Sequence, residues 1–210
     1  MNTPEIKNAP LIPITETVIY PGISNRIFVN EDIGNNIKEL ITKNNTLAIG
    51  LSTKDYRGLV QLTADSFYRI GVLMKFDSIQ KSDNGFIIDI TTINRVKVLD
   101  FTFEEKQITA SYSIQEDIQD INADEEQEMI TYIKGLMKDL SHNFKGAEYF
   151  VSILEGLPSL EEIMGYTIPM MGIPLKSKQV LLEIDSFKER TLSFIDYIIR
   201  EKDSVHLQLE

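Results

Sequence analysis

Apolar residues repeat with one period up to about residue 117 of this 210-residue chain and with another period after it. In the first part the period is two. Val72, Met74 and Phe76 alternate with Leu73, Lys75 and Asp77, and Phe86-Ile87-Ile88-Asp89-Ile90 comes after the turn Asp83-Asn84-Gly85. Asn-Gly between two β-rich runs predicts a hairpin, because both residues tolerate the backbone of a tight turn. Further strands are predicted over 46–51, 95–103 and 107–114. The chain opens with the extended run Pro10-Leu11-Ile12-Pro13-Ile14, then Val18-Ile19-Tyr20-Pro21-Gly22 and a second extended run, Arg26-Ile27-Phe28-Val29. A proline at each end of the first run predicts a strand at a sheet edge, where a missing N–H breaks no ladder bond. One helix is predicted here, over 31–43, from Ile33, Ile37, Leu40 and Ile41 and the closing Asn44-Asn45.

After residue 117 the spacing is helical. Asn122 predicts a cap for a helix through Leu140, with Met129, Ile133, Leu136, Met137, Leu140 and Phe144 along one face. Ser159-Leu160-Glu161-Glu162 and Ser186-Phe187-Lys188-Glu189 both fit the Ser-x-x-Glu capping box. The last helix carries the stripe Phe187, Thr191, Phe194, Ile195 and Ile198, with Arg200 and Lys202 placed to favour its C-terminal dipole. The polar, acidic segment 114–124 marks the junction. The reading is therefore an α+β chain: a β-rich, barrel-like lobe with one helix over 1–117 and a helical bundle over 118–210.

Charge and missing residue types exclude several functions. The net charge is −11, and it is uneven: residues 1–118 carry −3 and residues 119–210 carry −8. Such a surface repels nucleic-acid phosphates and anionic membrane, so neither is expected as a partner. No cysteine is present, which removes disulfides, thiolate nucleophiles and cysteine-based zinc sites. The first ten residues lack a signal-peptide pattern, and no apolar run approaches the roughly 18–20 residues that span a bilayer. The expectation is a cytoplasmic protein without cofactors.

Chemistry is equally sparse. No glycine precedes a lysine, so there is no GxxxxGK[ST] phosphate loop. Ser78-Ile79-Gln80-Lys81 fits S-x-x-K formally but lies beside the predicted hairpin turn, where a strand end suffices as its explanation. His142 and His206 have no ligand-spaced partners, so no metal site and no catalytic residue are expected. The acidic run Asp124-Glu125-Glu126-Gln127-Glu128 reads as a solvated first helical turn. Two apolar segments remain. Tyr20-Pro21-Gly22-Ile23 is either an exposed recognition tip or a loop folded onto the sheet. Met170 and Met171, between Pro169 and Pro174, are either a pliable binding surface or a buried corner between helices.

The opening order of strand, Pro-Gly turn and strand resembles the N-terminal LON domain of ATP-dependent Lon proteases. Three later segments agree: Phe67-Tyr68-Arg69-Ile70-Gly71-Val72-Leu73, Asp83-Asn84-Gly85, and Asn94-Arg95-Val96-Lys97-Val98. Gly172-Ile173-Pro174-Leu175-Lys176-Ser177-Lys178-Gln179 resembles a helix start in the family's C-terminal bundle, and Glu201-Lys202-Asp203 its exit from the last helix. Thr92 and Ile93 stand where relatives often carry glycine, and 45–66 lacks a common acidic, proline-containing loop. The resemblance implies a PUA-like β lobe followed by a helical lobe. It also implies a non-catalytic role: capture of unfolded or damaged polypeptides for an ATPase and a Ser–Lys peptidase, beside other copies of the parent protease in a homo-oligomer. Tyr20, Pro21 and Ile23 are the first candidates for that contact, and Met170 and Met171 the second. The chain ends where the family's helix runs on toward the ATPase module, which favours a fragment; a free-standing LON-domain binding or regulatory protein is the alternative. An enzyme or nucleic-acid module on a PUA-like β fold is disfavoured by the charge and the absent catalytic constellation.

Overall fold

A computed structural model describes residues 5–105, 107–141 and 147–209, with side chains up to residue 203. His142, Phe144 and the side chain of His206 lie outside that description. The chain divides into two compact units, one formed by Met1–Glu116 with Pro174–Glu183 and the other by Asp117–Ile173 with Ile184–Glu210.

The first unit is built on strands β1 (Lys7–Ile14), β2 (Ser24–Val29), β3 (Leu47–Ser52), β4 (Ile70–Ser82), β5 (Gly85–Phe103) and β6 (Ile108–Ile114). They are hydrogen-bonded in the order β2-β5-β4-β3-β1-β6, and a further β5–β6 pairing closes all but β2 into a ring. The nineteen-residue β5 makes this closure possible. Its first half pairs with β2 and β4, its second half with β4 and β6, and register shifts opposite Val72–Met74 and at Val98–Asp100 mark where it bends. The sequence pattern suggests separate runs before and after Thr92; they are one strand with an irregularity between Thr92 and Arg95.

β1 is not at an edge. It lies between β6, with which it pairs antiparallel over Lys7–Leu11, and β3, with which it pairs in parallel over Leu11–Ile14. Pro10 lies outside the β3 pairing and Pro13 outside the β6 pairing. Each ring therefore has one flank with no ladder to break, which is the property an edge would have supplied.

Two apolar cores use opposite faces of this sheet. Ile12, Ile14, Met74, Phe76, Ile88 and Ile90 face helix α1 (Glu31–Thr42), whose Ile33, Ile37 and Leu40 are buried against them. Leu11, Ile49, Leu51, Phe67, Val96 and Tyr112 fill the other side. A strand buried on both faces has no polar side to show, so β3 reads as an unbroken apolar run. The Asn30 side chain caps α1 by accepting from the Ile33 N–H at 3.0 Å. Close packing of α1 depends on Gly34: a Cβ there would come within 2.0 Å of the Phe86 ring. The hairpin turn is Asp83-Asn84, and Gly85 is already the first residue of β5. Gly85 is needed for another reason than the turn alone, since its Cβ would meet the Val29 carbonyl oxygen at 2.1 Å.

Helix α5 (Leu175–Glu183) belongs to this unit, although the sequence pattern places it with the bundle. Polar groups fasten it. Arg95, only 2% exposed, donates through Nη1 to the Leu182 carbonyl at 2.9 Å. The Gln179 amide donates to the Ile70 carbonyl at 2.9 Å, and the Tyr20 hydroxyl to the Lys178 carbonyl at 2.5 Å. Arg95 also donates through Nη2 to the Glu116 carbonyl, so its guanidinium serves the packing of this unit.

The second unit consists of α2 (Ala123–Ser141), α3 (Ala147–Gly156), α4 (Leu160–Thr167) with a 3-10 turn at Ile168–Met170, and α6 (Phe187–Leu209). Asn122 caps α2 through Oδ1, which accepts the N–H groups of Asp124 and Glu125 at 3.0 Å each. Ser159 and Ser186 cap α4 and α6. α6 continues well beyond the exit expected at Glu201-Lys202-Asp203. Arg200 and Lys202 are thus inside the helix, paired with Asp196 and Asp139 and not with a terminal dipole. Where α6 starts, the buried Arg190 guanidinium holds Asp117 in a two-bond fork at 2.9 and 2.7 Å and also donates to the Ile184 carbonyl.

Candidate functional site

The second unit contains an apolar cavity of about 410 Å³, within the range of roughly 300–1,000 Å³ common for ligand sites. Three helices and a corner make it. α2 contributes Met137 and Leu140 from its buried stripe, α3 contributes Phe150, and α6 contributes Glu201. The fourth wall is the end of α4 and the turn beyond it: Thr167, Met170, Met171 and Gly172. The sequence explains that corner. Pro169 cannot donate to the preceding helical turn, so α4 tightens into the 3-10 turn Ile168–Met170 and the chain leaves at Met171 in extended conformation. Ile168 is buried and pins the turn, which leaves Met170 54% exposed and Met171 half-buried. Phe150 stacks on Tyr166 with ring centroids 5.4 Å apart, fixing the aromatic wall. Burial also raises the Tyr166 phenol above its usual range.

Besides Ser141, whose hydroxyl donates to the Lys138 carbonyl at 2.6 Å, two polar groups break the apolar lining. The Thr167 hydroxyl is buried and has no hydrogen-bond partner among the described residues. Glu201 follows buried Ile198 by three residues and continues the α6 stripe, but with a carboxylate in place of hydrocarbon. That substitution in a 187-191-194-198-201 series is the signal that could have marked Glu201 in the sequence; Phe150 and Thr167 had none.

The Tyr20-Pro21-Gly22-Ile23 segment is placed differently. Tyr20 is 2% exposed and Pro21 is buried. Ile23 is half-buried, with its N–H donating to the Thr92 hydroxyl at 3.1 Å and its carbonyl accepting the Thr92 N–H at 2.9 Å. This loop lies against β5, and in this conformation Tyr20 and Pro21 present no surface to a partner. The two candidate groups belong to different units.

Elsewhere in the first unit, Val60 is 90% exposed above a groove lined by Asp32, Glu39, Arg57 and Glu105. With Asn35, Asn36 and Gln61 beside those charged groups, most of the lining is polar, and it makes a poorer apolar receptor. Ser78 and Lys81 lie on β4, where Ser78 donates to Asp89 at 2.6 Å and Lys81 pairs with Glu31. Among the described residues no three carboxylates or imidazoles form a group that could hold a metal ion. Among them, too, no helix is long and apolar enough to cross a membrane.

Residues 8–200 match the family model described as the ATP-dependent protease La (LON) substrate-binding domain. The chain is 34% identical over 200 residues to the Lon protease of Clostridium beijerinckii and 28% identical over 207 residues to that of Methanosarcina barkeri. These alignments cover 95% and 98% of this chain but only 25% and 26% of the relatives, so the chain spans about a quarter of their length. Among solved structures, the N-terminal domain of a Mycobacterium avium complex Lon protease superposes with a TM-score of 0.69 at 15% identity, covering 91% of this chain and 98% of that one. A Lon N-terminal domain protein from Xanthomonas campestris superposes at 0.58 and 11% identity, again over 91% of this chain and 98% of the other. At such identities these two likenesses bear on the fold alone. From the family model and the extent of its match, the chain belongs to the LON substrate-binding domain family.

Proposed function

We propose that this chain captures unfolded or damaged polypeptides for the ATPase and peptidase modules of a Lon protease, and does so without chemistry of its own. The observation that carries the proposal is the methionine corner of the second unit. Unfolded chains differ from folded ones chiefly in accessible apolar surface, so a receptor for them needs an apolar cavity that adapts to many side chains. Thioethers on flexible stems provide that adaptability, and Met137, Met170 and Met171 meet around one cavity. Tyr20, Pro21 and Ile23 keep a supporting role in this reading, as the residues that hold the loop and α5 to the sheet.

A titration of a permanently unfolded polypeptide against the wild-type chain and a Met170→Ser, Met171→Ser variant tests the reading. The two side chains are partly exposed, so losing their contacts is expected to weaken binding about tenfold, near 1.4 kcal/mol. Unchanged affinity in a variant with wild-type circular dichroism would move the contact off the helical unit altogether.

A further inference from the structure

The second unit carries nearly all of the chain's net charge. Seven Lys and Arg residues stand there against seventeen Asp and Glu, a net −10, whereas the first unit is at −1. Within that acidic unit, one carboxylate is set into an apolar wall. Glu201 lines the cavity and makes no ion pair or hydrogen bond among the described residues. The neighbouring cations are engaged elsewhere, Arg200 with Asp196 at 3.5 Å and Lys202 with Asp139 at 2.8 Å. Gly172 gives the carboxylate its place: Oε1 lies 3.1 Å from the position a Cβ would take there. On the α4 wall of the same cavity the buried Thr167 hydroxyl has no partner among the described residues. A buried polar group left without a bond is unusual enough to need a reason.

We propose that the cavity selects polypeptide segments in which a bulky apolar residue adjoins a lysine or arginine. This rests on the reading of the cavity as the capture site. The apolar side chain seats among Met137, Leu140, Phe150 and Met171. The neighbouring cation pairs with Glu201, and the Thr167 hydroxyl bonds to the segment's backbone. Acidic segments are refused twice, by Glu201 and by the field of the whole unit.

Three peptides of twelve residues, identical except for Lys, Ser or Glu beside a single Leu-Phe anchor, test this by fluorescence anisotropy with the full chain. The Lys peptide is expected to bind about fivefold more tightly than the Ser peptide, and the Glu peptide most weakly, a range consistent with an exposed or partly buried ion pair. Glu201→Gln should bring the Lys and Ser peptides within twofold of each other. Glu128→Gln, which removes the same charge from an exposed position on α2, should keep the preference. If both variants reduce the preference alike, or Glu201→Gln leaves it intact, the selection by Glu201 is wrong. If the Ser peptide binds and lysine adds nothing, the inference fails while the capture reading stands. If none of the three binds at millimolar concentration, both fail. Thr167→Val separates binding from folding. Replacing an unsatisfied hydroxyl with a methyl of the same shape should leave the thermal midpoint unchanged or raised, while all three peptides weaken two- to threefold. Undiminished affinity in that variant would remove the hydroxyl from the contact.

Discussion

Tyr20 shows how a residue type misleads when its environment is hidden. An aromatic beside Pro-Gly reads equally well as an exposed tip or as an anchor, and nothing local decides between them. The deciding partner, the Lys178 carbonyl, lies 158 residues away in sequence. A phenol hydroxyl is the one part of Tyr20 that this partner needs, so Tyr20→Phe isolates the bond. The variant should lose about 1–2 kcal/mol of stability in urea unfolding with an unchanged denaturant slope, because a buried acceptor loses a donor while packing is kept. Its affinity for unfolded polypeptide should equal that of wild type. A loss of affinity without a loss of stability would return Tyr20 to the contact surface.

Among the elements, those defined by their own residues were readable from sequence and those defined by distant polar bonds were not. α1, α2, α4 and α6 each combine a cap with an apolar stripe, and each begins within a residue of its expected start. The long β4–β5 hairpin follows from alternation and a turn pair. α5 is the contrary case: Lys178 and Gln179 are buried in it, and its attachment to the sheet runs through backbone carbonyls. A hydropathy pattern cannot report that kind of docking. The start of α6 offers a test of how such bonds respond to pH. Asp120 accepts from the Ser186 hydroxyl at 2.6 Å and the Lys188 N–H at 2.8 Å, and these bonds hold its carboxyl below the usual aspartate range. Glu125 is held low in the same way by Lys188. A carboxyl depressed in the folded state stabilises fully above its unfolded value, about 4, and loses that contribution as pH falls through its folded value. Asp120→Asn should therefore lower the thermal midpoint at pH 7, and the gap to wild type should shrink below about pH 4. A gap constant from pH 7 to pH 3 would mean that the carboxylate charge has no part in starting α6.

For the whole molecule, the proposed capture by one small cavity implies weak binding by a single copy. Ordering a flexible chain costs conformational entropy, and one cavity of about 410 Å³ covers only one or two side chains. On the proposed reading, low affinity from one copy suits a receptor that hands its cargo on. It becomes effective when several copies meet one long chain, because each further contact is then intramolecular. Two copies joined by about 30 Gly/Ser residues, with a mean reach of about 30 Å, reproduce that situation without any other module. For an unfolded polypeptide long enough to carry several apolar-basic segments, the tandem protein should bind at least about 100-fold more tightly than the single chain. A twelve-residue peptide with one anchor should gain no more than the twofold expected from two independent sites. Isothermal titration of both ligands against both proteins distinguishes the cases. Equal gains for short and long ligands would mean that linkage changes the site itself. No gain for the long chain would mean that it occupies one site per molecule, with capture decided by a single strong contact and not by the summation of weak ones.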